Sequence, residues 1–402
     1  MTAPLPLEGI RVPELGNYMA GPFCGMLLAD MGADVVKVEN PKGGDYSRGL
    51  GPFPPGSPDG AGFLRLNRNK RSLALDLKRA AGKDAFRVLA RRADALVENF
   101  RPGTMDDLGL GYDTLARENP RLVYVAVSGF GQTGHGRDRP GLDIMVQAES
   151  GLMSVTGEAG GPPVKVGVPI ADLTAALYAA FAVSNGIHLR QRTGRGTFVD
   201  IAMLEAAVSL AVWESGVYWT TGEVPERLGT AHILETPYQA FPTKDGHIAI
   251  GATSPPNWRA FLRVTGLEGR LGAVPEWQSS GGRRAHRGEI VAIVSEVTRT
   301  RTTEEWFEVL SAAGVPCGRI RSYDEVFNDP ALSGRGFLVD LPHQLLGAVR
   351  GAGSPIHLRG VPPRHDHAGP LLGQHTREVL RDVLSEAEID RLAAEGAILL
   401  AD

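Results

Sequence analysis

The chain has 402 residues, 43% of them hydrophobic and 22% charged, with a formal net charge of -4. That composition is globular, the length suits two domains or one large domain with an inserted lobe, and the slight acidity argues against a nucleic-acid partner, which favours a basic face. Two widely separated cysteines, Cys24 and Cys317, exclude a disulfide framework and a CxxC zinc pattern and fit a reducing compartment.

In chain order, the N-terminus lacks a charged region followed by an apolar run, so no signal peptide is expected. Residues 9–12 read as a strand and 22–31 as a helix with small residues on one side. Strands follow at 34–39 and 72–77, a helix at 80–91, and strands at 93–98 and 122–127. This alternation predicts an α/β fold with a parallel sheet covered on both faces. Ligands of such sheets bind beyond the carboxyl ends of the strands. The loops to inspect are therefore 14–21, 39–48, 78 onward, 99–103 and 128–141.

A long Ala-rich helix is expected from Asp172. Its uncharged part, 173–189, is interrupted by Ser184, Asn185 and Gly186 and falls short of the roughly 20 apolar residues of a membrane span. No membrane association is expected, and a cytoplasmic location is. A turn and strand (TGRGTFVDIAM) and a helix from 204 to about 220 come next. A hairpin over 238–250 turns at Lys244, Asp245 and Gly246. Helices are expected near 257–264, 284–298 and 303–313. Residues 337–358 read as β, and 375–384 and 386–396 as helices. The expected division is a large domain over 1–222, a smaller α+β domain over 223–318, and a return to the large domain over 319–402.

Four motifs bear on function. GFGQTG at 129–134 matches G-x-G-x-x-G after a strand, but HGRDRP delays helix entry, so it reads as a tight ligand-lining loop rather than a dinucleotide fingerprint. His365, Asp366 and His367 with His375 read as a surface loop, and no metal site is expected. Arg101, before Pro102 and Gly103, ends a strand, where a guanidinium fork suits a phosphate. A surface arginine is the other reading. Asp172 is the lone acid between Gly160 and Phe181. It is either an N-cap that accepts backbone N–H groups or a nucleophile. A helix N-terminus favours an ionised carboxylate, and the ordinary Asp pKa of about 3.9 already ionises it at neutral pH.

The chain resembles the family III CoA-transferases, the group that includes formyl-CoA transferase and carnitine CoA-transferase. The resemblance rests on GPFCGMLLADMGADVVKVENP, NKRSLALDLK, ADALVENFRPG, NPRLVYVAVSGFGQTG, GLDIMVQAESGL, VGVPIADLTAALYAAFA and TGRGTFVDIAMLEA, in that order along nearly the whole chain. It implies a Rossmann-like large domain, a small domain, and a homodimer of two interlocked rings. It implies acyl-CoA and carboxylic acid as substrates, with coenzyme A as substrate and no permanently bound cofactor. It places the catalytic aspartate at Asp172. CoA contacts fall at Met19 and Ala20, at Leu75, Asp76, Leu77 and Lys78, and at Asn99, Phe100 and Arg101. The implied route runs through an aspartyl anhydride and an aspartyl-CoA thioester.

The same fold carries α-methylacyl-CoA racemases. These have a histidine base where this chain has Leu142, which favours transfer over racemisation; a CoA-binding relative without catalysis is the third reading. The sequence departs from formyl-CoA transferase in two places. No glycine-rich loop appears near the 238–250 hairpin, and Met19 replaces a glutamine. Both departures count against formate and oxalate. By likeness to other family members a small dicarboxylate is the expected acceptor, with Arg137 or Arg139 read either as a partner for its distal carboxylate or as a surface residue.

Overall fold

The computed structural model describes residues 3–401. Its strands are β1 (Arg11–Leu15), β2 (Asp34–Glu39), β3 (Arg71–Leu75), β4 (Ala95–Glu98), β5 (Val123–Ser128), β6 (Thr197–Ala202), β7 (Tyr238–Pro242), β8 (His247–Gly251), β9 (Cys317–Arg319), β10 (Leu338–His343), β11 (Gly347–Ala352) and β12 (Ile398–Leu399). Seven of them form one sheet, in the order β12-β3-β2-β1-β4-β5-β6. All pair in parallel except β12, which runs antiparallel along β3. The apolar runs VVKVE, ALVE and VYVAVS are buried along their lengths, as a sheet covered on both faces requires. The strand order reverses between β1 and β4. In an open parallel sheet that switch point is where the loops part and leave a crevice.

The chain divides into two compact units. The first takes in residues up to 150, 167–210, and 329 onward, and holds the large sheet. The second takes in 151–166 and 211–328. It packs helices on the antiparallel sheet β7-β8-β9, around Trp258, Phe261 and Trp306. Arg283 is buried in that core, and its guanidinium donates to the carbonyls of Thr236, Thr253, Trp277 and Gln278.

Three expectations change. The helix expected to break at residues 184–186 runs unbroken over Ile170–Thr193. Ser184 and Asn185 turn their side chains back onto the carbonyls of Ala180 and Phe181, which satisfies them inside the helix. Gly186 is the point of closest approach to the sheet: a Cβ there would stand 2.6 Å from Val123 Cγ1. By length and composition this helix could cross a membrane, yet 44% of its apolar window is buried in the fold. The single helix expected over 204 to about 220 is two, Met203–Val208 and Val212–Thr221. Ser209 turns its hydroxyl onto the Ala206 carbonyl at the break. The helix expected over 284–298 is likewise split, into Ser280–Ala285 and Arg287–Thr298.

Candidate active site

The loops after β1 and β4 meet across the switch point. Asn17 N–H donates to Asn99 Oδ1 (2.8 Å), and Asn99 Nδ2 donates to the Asn17 carbonyl (2.9 Å). Two reciprocal bonds fix one loop on the other. Beneath the first loop lies a buried ion network. Lys37 Nζ reaches the Gly16 carbonyl (2.8 Å), Glu14 Oε1 (3.2 Å) and Asp45 Oδ2 (2.8 Å). Lys70 Nζ reaches Glu14 Oε2 (2.8 Å), the Pro22 carbonyl and Asn67 Oδ1. Burial weakens the charge of Lys37, but Glu14, Asp45 and Glu39 outweigh it and hold its pKa above that of a free lysine. Lys70 is lowered to about 8, mainly by burial.

Gly16 is required by this packing, since a Cβ would stand 2.3 Å from Glu14 Oε1. Tyr18 sits at φ 64, a conformation costly for a side-chain-bearing residue. It is held by a hydrogen bond to Asp45 Oδ1 and by stacking on Tyr46 at 4.8 Å. After β4, the buried Glu98 accepts from Phe100 N–H (2.7 Å), and burial pushes its carboxyl up to about 8.

A cavity of about 920 Å³ opens beside these loops. Its wall includes Met19, Asn99, Phe100, Arg101, Arg139, Leu142, Asp143 and Asp172. A second cavity of about 280 Å³ is lined by Leu75, Asp76, Leu77 and Lys78. Asn17 and Phe100 line both, so the two adjoin. Of the sequence-predicted contacts, only Ala20 lines neither; it is fully buried at the start of helix Ala20–Asp30. Asp76 turns back to accept from Lys78 N–H.

Asp172 lies in the first turn of Ile170–Thr193, but it does not cap that helix. The cap position is Pro169, and the capping carboxylate comes from another helix. Asp143 Oδ1 accepts from the backbone N–H of Ala171 (2.9 Å) and of Asp172 (3.3 Å), while Oδ2 accepts from the buried Gln147 (2.5 Å). Among the described residues the half-buried Asp172 carboxylate accepts no hydrogen bond. Burial, reinforced by the Asp143 carboxylate, pushes its pKa up to about 7. The ordinary aspartate value assumed from sequence does not hold here, because burial and a like charge outweigh the helix N-terminus.

Asp143 was not singled out from sequence. Its signal was GLDI: an aspartate at the start of helix Asp143–Glu149. The loop before it is closed by two touching glycines; a Cβ on Gly129 would stand 2.8 Å from Gly141 Cα. Gly131 and Gly134 turn the GFGQTG segment through positive φ, and no helix starts there. Arg139 is committed on both sides, pairing with Glu149 (2.6 Å) and lying over the Phe130 ring (4.3 Å). Arg137 lines a different, smaller cavity beside Glu98. Among the described residues no His, Cys, Asp or Glu cluster is arranged to hold a metal.

The family model described as CoA-transferase family III matches residues 7–376. The succinate–glutarate CoA-transferase of Agrobacterium fabrum is 37% identical over 94% of this chain and 96% of its own. The succinyl-CoA–D-citramalate CoA-transferase of Chloroflexus aurantiacus is 35% identical over 96% of each. A solved structure of a CaiB/BaiF family protein from Brucella suis superposes with a TM-score of 0.83 at 33% identity, over 95% of this chain and all of the other.

Proposed function

This chain belongs to CoA-transferase family III, and from that premise we propose that it moves CoA from an acyl-CoA to a small dicarboxylate through covalent intermediates on Asp172. The observation that carries the reading is a half-buried carboxylate without a hydrogen-bond partner among the described residues, on the wall of a large cavity at the sheet's switch point. A capping aspartate would be saturated by backbone N–H groups; here Asp143 does the capping.

The steps follow from that arrangement. Ionised Asp172 attacks the thioester carbonyl; the C–S bond breaks, and CoA leaves as a thiolate, a good leaving group because thiols ionise near pH 8.5. The resulting anhydride joins the acyl group to Asp172. The thiolate attacks the aspartyl carbonyl, releases the donor acid and leaves an aspartyl-CoA thioester. The acceptor carboxylate displaces the thiolate to form a second anhydride. The thiolate then attacks the acceptor's acyl carbon, which frees Asp172 and the new acyl-CoA. Covalent catalysis thus divides one difficult exchange into four acyl transfers. One thioester replaces another, so no ATP is consumed.

All the residues predicted to bind CoA except Ala20 support the reading by lining adjoining cavities around the Asn17–Asn99 clamp. A dicarboxylate acceptor is supported by relatives named for succinate, glutarate and citramalate. Arg101 and Arg139 are cationic groups on the same wall as Asp172; Arg139 is already paired with Glu149, so Arg101 better suits a distal carboxylate. Leu142, exposed on that wall, supplies no base for racemisation. Leu177, Tyr178, Phe181 and Leu189 leave an apolar stripe exposed on the Asp172 helix, which suits cover by a second copy in a homodimer. Two free cysteines suit a cytoplasmic location.

The test is a panel of acyl-CoA donors and mono- and dicarboxylate acceptors, run with the wild type and Asp172→Ala. Transfer to dicarboxylates that vanishes in the variant is expected. Wild-type turnover by Asp172→Ala would overturn the assignment. Exchange of solvent deuterium into the α-carbon without CoA transfer would favour the racemase.

A further inference from the structure

Asp143 does more than hold a helix end. We propose that Asp143 is the positioning and electrostatic partner of Asp172, fixing the turn that carries the nucleophile while its negative charge drives Asp172 toward its uncharged, acylated state. The inference rests on Asp172 being the nucleophile.

Geometry supports it first. Asp143 reaches from one helix to another and accepts from the N–H of Asp172 itself and from that of Ala171. Its second oxygen is held by Gln147, which is fully buried, so the carboxylate is locked in place. Both aspartates line the same cavity. A neutral Asn or Ser would cap a helix equally well. A carboxylate used as a cap beside another carboxylate adds a repulsion that capping does not need.

Other charged or titratable groups lie on the cavity wall and on the elements packed against the Asp172 helix. Arg101, Arg139 and Tyr18 lie on the cavity wall, with Arg139 tied to Glu149. Helix Ala20–Asp30 brings Cys24 and Asp30, the latter paired with Arg68. Helix Met203–Val208 brings Glu205, and the sheet brings Tyr124 on β5 and Asp200 on β6. Of these and Asp143, Asp143 alone contributes to the raised Asp172 pKa, second to burial.

Acylation and protonation do the same thing to Asp172: each removes its charge and so relieves the repulsion from Asp143. Whatever Asp143 adds to the proton affinity of Asp172 it adds equally to the stability of the anhydride and of the aspartyl thioester relative to the free carboxylate. Two readouts are therefore coupled. If the charge of Asp143 is worth about one pKa unit, its removal lowers the acid limb of kcat/KM by about one unit. It also lowers the high-pH plateau by up to about tenfold.

The experiment measures kcat/KM for an acyl-CoA against pH in the wild type, Asp143→Asn and Asp143→Ser, both of which keep a capping oxygen. An acid limb that moves down, with a plateau that falls, supports the proposal. Lower activity with an unmoved acid limb overturns it and leaves Asp143 as a cap only. Should neither variant fold, infrared titration of the wild type minus Asp172→Asn decides. A carboxyl transition near pH 7 accompanied by a shift of a second carboxylate band supports the proposal, because burial alone raises the pKa without coupling to Asp143; a transition near pH 7 without that shift, or one near pH 4, overturns it. Wild-type activity in Asp172→Ala would instead remove the reading on which this inference rests.

Discussion

Replacing Asp172 by Asn should make the protein more stable, and increasingly so as pH rises. The folded pKa of Asp172 is about 7, against 3.8 ordinarily. Its folded-state value is raised, so between those two pH values the folded chain binds more protons at this site than the unfolded one. Stability is therefore lost as pH rises through that window, and the loss is complete above pH 7. At 1.36 kcal/mol per unit the full cost approaches about 4 kcal/mol. Water reaching a half-buried carboxylate reduces it to about 2–3 kcal/mol.

Asn is nearly isosteric and carries no charge, so Asp172→Asn removes the cost. The stability difference between variant and wild type should grow by about 2 kcal/mol between pH 5 and pH 8.5. For a unit of this size that is a differential Tm of about 4 °C. The assay is thermal unfolding of both proteins across that range in matched ionic strength. Other buried acids, Glu98 among them, titrate in both proteins and cancel in the difference. Parallel Tm curves would show that Asp172 is not strained by ionisation and would refute the electrostatic reasoning.

Two further predictions concern the framework. Asn99→Ala removes both bonds to Asn17, each worth about 1 kcal/mol, and should raise KM for acyl-CoA by about tenfold with kcat less affected; an unchanged KM in steady-state kinetics would show that the clamp does not shape the site. Gly186→Ala drives a methyl against Val123 and should lower stability by about 1–3 kcal/mol despite alanine's better helix propensity. A Tm at or above wild type would mean the helix moves off the sheet at no cost.

The sheet was legible because its strands carry dense apolar runs between helical patterns. The strand predicted over 34–39 and the helix over 80–91 stand at those residues. Patterns of small residues were harder. Ser184, Asn185 and Gly186 read as a break, yet Gly186 is there to let a continuous helix touch Val123. Asp172 was legible as a choice between cap and nucleophile, and a contact across 29 residues shows that the capping carboxylate is Asp143 instead. Nothing local to Asp172 announces that Asp143 caps its helix. The raised pKa has the same origin: burial and a neighbouring charge are tertiary facts, invisible at the helix N-terminus alone.

The central claim is that Asp172 carries the acyl group and then CoA. The direct measurement is to incubate the protein with succinyl-CoA, trap with hydroxylamine or borohydride, digest, and locate the mass change by peptide mass spectrometry. A modification confined to Asp172 and absent from Asp172→Asn is predicted. Efficient transfer with Asp172 unmodified, or with the adduct on another residue, would contradict it.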